Sequence, residues 1–317
     1  MLSPRIRSIG METIGFIGPG KIGLPICANL INSGYRVLGY RRGSLAELEK
    51  LGGVAGRSPA DVAERCEIVL SCLPSSEALA EVVNGERGLL KSAHPGQIFV
   101  ELGSHAVPDK EQYVTPFAQK GAMFLDGEVS GTPGMVAARK AVIYLAGDKQ
   151  ACSAAQRVIA GFSDECLYFG PFGAASRVKL VNNLLVAVHI AATAEAMALG
   201  LKAGVDVDLM IKAIADGSGG STQFRIRAPW MAARRFVPVQ GTAGALQHYF
   251  DLIGDFAGSI GVATPMLDRA TELYEKFTSM GLAELDVAAM VDVVSALPRS
   301  RYDGGARTMK NEHGGRR

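Results

Sequence analysis

Two side chains in this sequence stand at a spacing suited to proton transfer beside a carbonyl. Lys179 and Asn183 are four residues apart, so on a helix they share one face, one turn from each other. They interrupt an otherwise apolar run. An ammonium there is costly unless it has work or a partner, which makes Lys179 a candidate general acid/base and Asn183 a candidate orienting amide. The structural alternative for Lys179 is an interdomain ion pair. A second constellation lies near the N-terminus, where Gly18-Pro19-Gly20-Lys21-Ile22-Gly23 forms a G-x-G-x-x-G turn. An apolar run at Ile14, Phe16 and Ile17 precedes it, and helical spacing through Ile22, Ile26 and Leu30 follows. In that context Gly18 permits the tight turn, Gly20 admits a pyrophosphate to the backbone, and Gly23 allows close helix–strand packing. The anion would lie on free N–H groups at the helix N-terminus.

About 20 residues past such glycines an NAD site places an acid on the ribose 2′-hydroxyl. Here Tyr35 to Tyr40 reads as the second strand and ends in Arg41-Arg42-Gly43-Ser44. Two guanidiniums and a hydroxyl with no acid suit a 2′-phosphate, so the expected cofactor is NADP(H), with Arg41, Arg42 and Ser44 as contacts. Further strand-like runs occur at 67–73, 97–102, 123–126 and 141–146, alternating with helical stretches, which predicts βαβ units and a parallel sheet. Leu73 and Pro74, at the carboxyl end of a strand, fall where they would border the cofactor. From Ser176 to Ala203 the pattern becomes one long helical run, apolar on more than one face and expected to be buried between two bodies. From Val205 to Leu297 only helical periodicity remains, with breaks at 217–220, 229, 238, 261 and 265. The expected organisation is an α/β Rossmann-type domain over 12–175 and an all-α domain over 176–297. The interdomain helix occupies 176–203, and flexible tails lie at 1–11 and 298–317.

The 317-residue chain is 48% hydrophobic and 20% charged, with formal net charge +2. Residues 299–317 hold six Lys/Arg against Asp303 and Glu312. That excess of four leaves the rest at −2, which argues against a nucleic-acid partner. The apolar run is broken by Asn182, Asn183, His189 and Glu195, which argues against a membrane span. Cysteines 27, 66, 72, 152 and 166 include no C-x-x-C pair. Reduced thiols and a cytoplasmic setting are expected. His189 and Glu195 read as packing or interface residues and Trp230 as core. No metal is expected, because no His/Asp/Glu cluster has ligand spacing.

Four blocks in this order resemble the β-hydroxyacid dehydrogenase family: the glycine turn, Asp126-Gly127-Glu128-Val129-Ser130-Gly131, Gly173 through Lys179 to Asn183, and Gly261-Val262-Ala263-Thr264-Pro265. The similarity spans roughly Thr13 to Ser295. It implies hydride transfer between nicotinamide and a small carboxylate-bearing alcohol or aldehyde, as in glyoxylate or semialdehyde reductases, with Lys179 as acid/base and Asn183 beside it. It further implies that Ser130, Gly131 and Thr132 receive the substrate carboxylate, that Ser104 lies beside the nicotinamide, and that the chain forms a homodimer or homotetramer. Departures from the pattern are Glu128 in place of a proline, Arg139-Lys140 in place of Gly-Thr, and a missing late lysine. For that lysine two residue counts point to His248 or Gln247, with His248 favoured as a substrate-side group. Rival readings are a catalytically silent NADP-binding interaction module and an imine-reductase-like enzyme, against which Lys179 counts.

Overall fold

In the computed structural model, residues 12–298 are described; the expected tails lie outside them, apart from Pro298. Eight strands form one sheet: β1 Thr13–Ile17, β2 Arg36–Tyr40, β3 Val54–Ala55, β4 Ile68–Ser71, β5 Ile98–Glu101, β6 Met123–Ser130, β7 Val142–Ala146 and β8 Glu165–Tyr168. Their order is β3-β2-β1-β4-β5-β6-β7-β8. Strands β1 to β6 are mutually parallel. β4 and β5 are buried throughout, as strands covered on both faces must be, and each is apolar for three residues before a buried Ser71 or Glu101 at its carboxyl end. The order reverses between β1 and β4, and a crevice opens at that switch point beyond the carboxyl ends of the strands.

The sheet departs from the all-parallel expectation at β7, which pairs antiparallel with β6 from Asp126↔Ala146 to Ser130↔Val142. Strand β6 therefore continues four residues past the expected end at Asp126, and Glu128 and Val129 lie in the sheet, not in a loop. Strands β3 and β8 were not expected. β3 has two residues and β8 (Glu-Cys-Leu-Tyr) is mostly exposed, so neither carries a strong apolar signal.

The long helix runs Ala174–Ala203, about 45 Å at 1.5 Å per residue. It is buried along one stripe, including Lys179, Asn183, Ala187, Ile190, Ala194 and Met197. The run was expected to be buried between two bodies; its other face carries exposed Val181, Leu185 and Leu199. Helices Thr222–Ala232, Ala243–Ser259, Pro265–Ser279 and Met290–Ala296 pack around the buried stripe. Their shared core includes Phe224, Trp230, Met231, Phe250, Tyr274 and Phe277. Pro229, expected to break a helix, lies inside Thr222–Ala232.

Candidate active site at the mouth of the sheet

The first helix, Gly23–Asn32, begins with no side-chain cap and no acid in its first turn. The Leu24 amide already donates to the Gly20 carbonyl at 2.8 Å and Pro25 has no N–H, so what the helix start offers an external anion is its dipole and the amides of the turn before it. Gly18 has φ +82°, and a Cβ there would sit 2.5 Å from the Cys72 carbonyl oxygen. A Cβ on Gly23 would meet the Phe16 ring at 2.6 Å. At Gly20 a Cβ would meet nothing nearer than 3.9 Å, so this glycine keeps space open rather than relieving a clash. These observations suit a dinucleotide pyrophosphate.

A single cavity of about 1730 Å³ runs from this turn to the long helix. Gly18, Gly20, Lys21, Ile22, Gly23, Arg41, Arg42, Leu73 and Pro74 line one end of it. Ser104, Ser130, Gly131, Thr132, Lys179, Asn183 and His248 line the other part. Pro19 is buried, and its carbonyl accepts from Arg41 Nη1 at 3.2 Å. Arg42 is exposed and paired with Glu81 at 3.2 Å. Pro19 and Ser44 are the exceptions among the expected cofactor contacts, since neither is in the cavity wall. The Ser44 hydroxyl instead accepts from the Ala46 amide at 3.2 Å, a local turn contact. Arg57 and Arg87 also border the nucleotide end, and sequence inspection missed both.

Lys179 is held by the architecture beneath it. Asp126, on β6, accepts from the Ser176 amide at 3.0 Å and from its hydroxyl at 2.6 Å. An acid from the sheet therefore anchors the N-terminal turn of the long helix, where its charge opposes the helix dipole favourably. One turn on, Lys179 Nζ donates to the Val129 carbonyl oxygen at 2.7 Å. Only 6% of the residue is exposed. Burial lowers its pKa from the ordinary lysine value, partly opposed by the Glu128 charge, and a lowered value moves an amine toward acid/base duty at neutral pH. No carboxylate forms an ion pair with it among the described residues. Asn183 Oδ1 accepts from Asn182 Nδ2 at 2.9 Å, and its NH₂ faces the Tyr249 hydroxyl oxygen.

The Ser130–Thr132 turn is fixed from two sides. A Cβ on Gly131 would meet Ala141 Cβ at 2.8 Å, so no larger residue fits. Asn29, on the first helix, donates to the Val136 carbonyl at 2.7 Å, tying the turn to the nucleotide-binding helix. The Thr132 hydroxyl accepts from the Met135 amide at 3.3 Å and keeps its proton for another partner.

Several residues differ from expectation. Ser104 is not free to meet a ligand through its proton, because its Oγ donates to Glu128 Oε2. Gln247 donates to the Thr278 hydroxyl at 3.5 Å and is not in the cavity wall. His248 lines the cavity, and its Nε2 donates to the Ser104 carbonyl at 3.1 Å. The aromatic ring nearest the lysine belongs to Tyr249, with Lys179 Nζ 5.7 Å from its centroid and its hydroxyl donating to Ser104 Oγ at 2.9 Å. His189, read as packing, contributes to the cavity wall. Arg139 points elsewhere. Its guanidinium donates to the Gly161 and Ala160 carbonyls at 2.6 and 2.7 Å, which holds it at φ +63°.

Beneath Ser104 lies a buried ionic group that no sequence motif announced. Lys110 is fully buried, and its Nζ reaches Asp126 Oδ1 at 3.1 Å, the Gly127 carbonyl at 3.0 Å and Glu128 Oε1 at 3.1 Å. Burial raises the Glu128 pKa, opposed by Lys110 and Lys179. The two surrounding carboxylates and Glu101 raise that of Lys110 despite its burial, so its ammonium stays charged. All five cysteines are free, and burial pushes Cys72, beside the site, up to about 12. Among the described residues no group of three His, Cys, Asp or Glu could hold a metal ion.

An uncapped glycine turn at a sheet switch point, opening on a deep cavity, is the arrangement of a dinucleotide-binding protein. Residues 13–170 match the NAD binding domain of 6-phosphogluconate dehydrogenase. Residues 173–294 match a domain described as NAD-binding of NADP-dependent 3-hydroxyisobutyrate dehydrogenase. The chain is 32% identical to L-threonate dehydrogenase of Cupriavidus necator, across 89% of this chain and 96% of that one. It is 29% identical to mitochondrial 3-hydroxyisobutyrate dehydrogenase of Rattus norvegicus, across 90% and 88%. Among solved structures, 3-hydroxyisobutyrate dehydrogenase of Mycobacterium tuberculosis superposes with TM-score 0.80 at 23% identity, covering 90% of this chain and all of that one. The chain belongs to the β-hydroxyacid dehydrogenase family. It is an oxidoreductase of CH–OH donors, which sets aside the catalytically silent module.

Proposed function

We propose that the protein is an NADP(H)-dependent dehydrogenase of a small hydroxy acid, with Lys179 as general acid/base. The observation that carries this reading is the buried, ion-pair-free Lys179 amine in the wall of the same cavity as the glycine turn. When bound, the nicotinamide supplies or accepts hydride at the substrate carbon. In oxidation the neutral Lys179 amine takes the hydroxyl proton as the carbonyl forms; in reduction the ammonium returns it. Asn183 orients the reacting oxygen, and the Ser130–Thr132 turn receives the carboxylate through its backbone N–H groups and free hydroxyl protons.

The preference for NADP(H) rests on Arg41 and Arg42 at the end of β2, where no acid is available for a ribose diol. A second copy of the chain is the proposed partner. The exposed apolar side chains of Val181, Leu185 and Leu199 on the long helix, with Leu209 and Met266 beyond it, support that reading. The test is a titration of NADPH against NADH, followed by a screen of 3-hydroxy acids, glyoxylate and succinic semialdehyde with Lys179→Ala alongside. NADPH should bind at least about tenfold more tightly, and the variant should keep that binding while losing turnover. Preference for NADH, or full turnover without Lys179, would reject the reading.

A further inference from the structure

Strands β2 and β3 end side by side at the nucleotide end of the cavity. Their register pairs Gly39 with Ala55, and the Gly56 amide extends the ladder to the Gly39 carbonyl at 2.7 Å. Two residues past that pair stand Arg41 after β2 and Arg57 after β3, on strands about 4.8 Å apart. Both line the cavity. Arg57 is held from behind by Asp61, in the first turn of helix Pro59–Arg65. The Asp61 side chain is 3% exposed and that of Arg57 77%. Asp61 Oδ2 accepts from the Arg57 amide at 2.9 Å, and Oδ1 accepts from Arg57 Nε at 3.2 Å and Nη2 at 2.8 Å. The Arg57 side-chain bond holds the Asp61 pKa below its ordinary value, so the acid is ionised at neutral pH. It also shares its charge with Arg65, whose Nη1 lies 3.5 Å from Oδ2. Of the five N–H groups on the Arg57 guanidinium, two are bonded to Asp61. Both on Nη1 and the second on Nη2 have no acceptor among the described residues.

On this geometry, and given the proposed preference for NADP(H), we infer that Arg57 is a further residue that determines cofactor specificity. Its free N–H groups receive the 2′-phosphate, and Asp61 is the positioning residue that presents them. A phosphate monoester carries about two negative charges at neutral pH and is matched best by a planar guanidinium fork. The cavity wall at this end holds Arg41, Arg42, Arg57 and Arg87 against Glu81 and Glu86, an excess of two cations that suits the dianion. A ribose diol is neutral and leaves that excess unused. Among these arginines, Arg41 turns Nη1 to the Pro19 carbonyl at 3.2 Å, toward the glycine turn. Arg42 is engaged by Glu81, and both of those side chains are more than half exposed. Arg57 is the one fixed by a buried, ionised carboxylate, so its fork needs little ordering when the phosphate arrives.

The experiment measures dissociation constants of NADPH and NADH by fluorescence titration and takes the ratio of NADH to NADPH. Arg57→Met keeps the aliphatic bulk and should lower that ratio by about tenfold, with NADH bound as in the wild type. Arg57→Lys, which keeps the charge without the fork, should give an intermediate ratio. Asp61→Asn should lower the ratio by less than Arg57→Met does. Added to Arg57→Met it should change the ratio no further, as expected of a residue acting through Arg57; a merely structural Asp61 would weaken both nucleotides alike. If circular dichroism shows Asp61→Asn unfolded, the two Arg57 variants decide the matter. A ratio unchanged in Arg57→Met, or a loss shared equally by both nucleotides, overturns the inference. Failure of the NADP(H) reading looks different, because the wild-type ratio itself would then lie near or below one, and Arg57 would fall with it. A large wild-type ratio that is lost in Arg42→Ala and kept in Arg57→Met would overturn the role of Arg57 alone.

Discussion

Replacing Lys110 by Met probes the buried ionic group beneath the site. The ammonium is fully buried and offers donors to Asp126, Gly127 and Glu128 within 3.0–3.1 Å. Methionine fills a similar volume but leaves two carboxylates facing each other. Asp126 would keep its bonds from the Ser176 amide and hydroxyl, and Glu128 its bond from Ser104. Hydrogen bonding is therefore only partly lost, while the compensating charge is lost entirely. Removing one partner of a buried pair costs about 3–5 kcal/mol. Urea or thermal unfolding followed by circular dichroism at pH 8 should register that loss. Without Lys110, the Glu128 carboxyl, whose pKa burial already raises, loses a charge that opposes that rise. The folded variant then binds more protons than the unfolded chain, so its deficit should shrink as pH falls through the raised Glu128 value. In the wild type the raised pKa of Glu128 has the same sign, and stability from that group is lost as pH rises through it. A variant within about 1 kcal/mol of wild type at pH 8, below the cost of breaking a buried pair, would refute this account of the network. So would a deficit that grows on acidification.

Other outcomes follow from single contacts. Arg42 is exposed and shares its charge with Glu81, so Arg42→Ala should weaken NADPH by about tenfold, the low end for a charge-assisted bond. NADH should be nearly unaffected, and equal weakening of both in a fluorescence titration would argue against a 2′-phosphate contact. Gly131→Ala forces a Cβ to 2.8 Å from Ala141. It should raise KM for the hydroxy acid while NADPH binding persists, and an unchanged KM would remove the turn from the substrate site. Because burial lowers the Lys179 pKa, kcat/KM for oxidation should rise with pH through a value below that of an ordinary lysine, and reduction should fall through it. A limb at the ordinary value would contradict the burial seen here.

The parts of the fold that were legible in sequence were those dictated by local physics. Apolar runs followed by glycines at 18, 20 and 23 leave few alternatives to a strand, a tight turn and a closely packed helix. Lys179 and Asn183 were visible because a cation and an amide at helical spacing stand out in an apolar run. Non-local features were harder to see. The antiparallel pairing of β6 with β7 depends on the chain reversing after Thr132, and nothing in Glu128-Val129-Ser130 says whether those residues are turn or strand. Lys110 lies in the short helix Val107–Glu111 beside Asp109 and Glu111, where any reader would place it in solvent. Its burial comes from β6 packing over it. Tyr249 carried no signal of its own in the sequence, because residues 247, 248 and 249 lie about 100° apart around one helical turn and their facing is set by tertiary packing. Gln247 meets Thr278, while His248 and Tyr249 both reach Ser104.

In the proposed mechanism, turnover depends above all on the Lys179 amine exchanging a proton with the reacting oxygen. The most direct measurement is the single-turnover rate of NADPH formation when the preferred hydroxy acid is mixed with enzyme holding NADP⁺, in wild type and in Lys179→Ala. The predicted result is a fall of about 10²–10⁴-fold with the NADP⁺ dissociation constant unchanged, and partial recovery when a small primary amine is added. Hydride transfer at the wild-type rate in Lys179→Ala would contradict it.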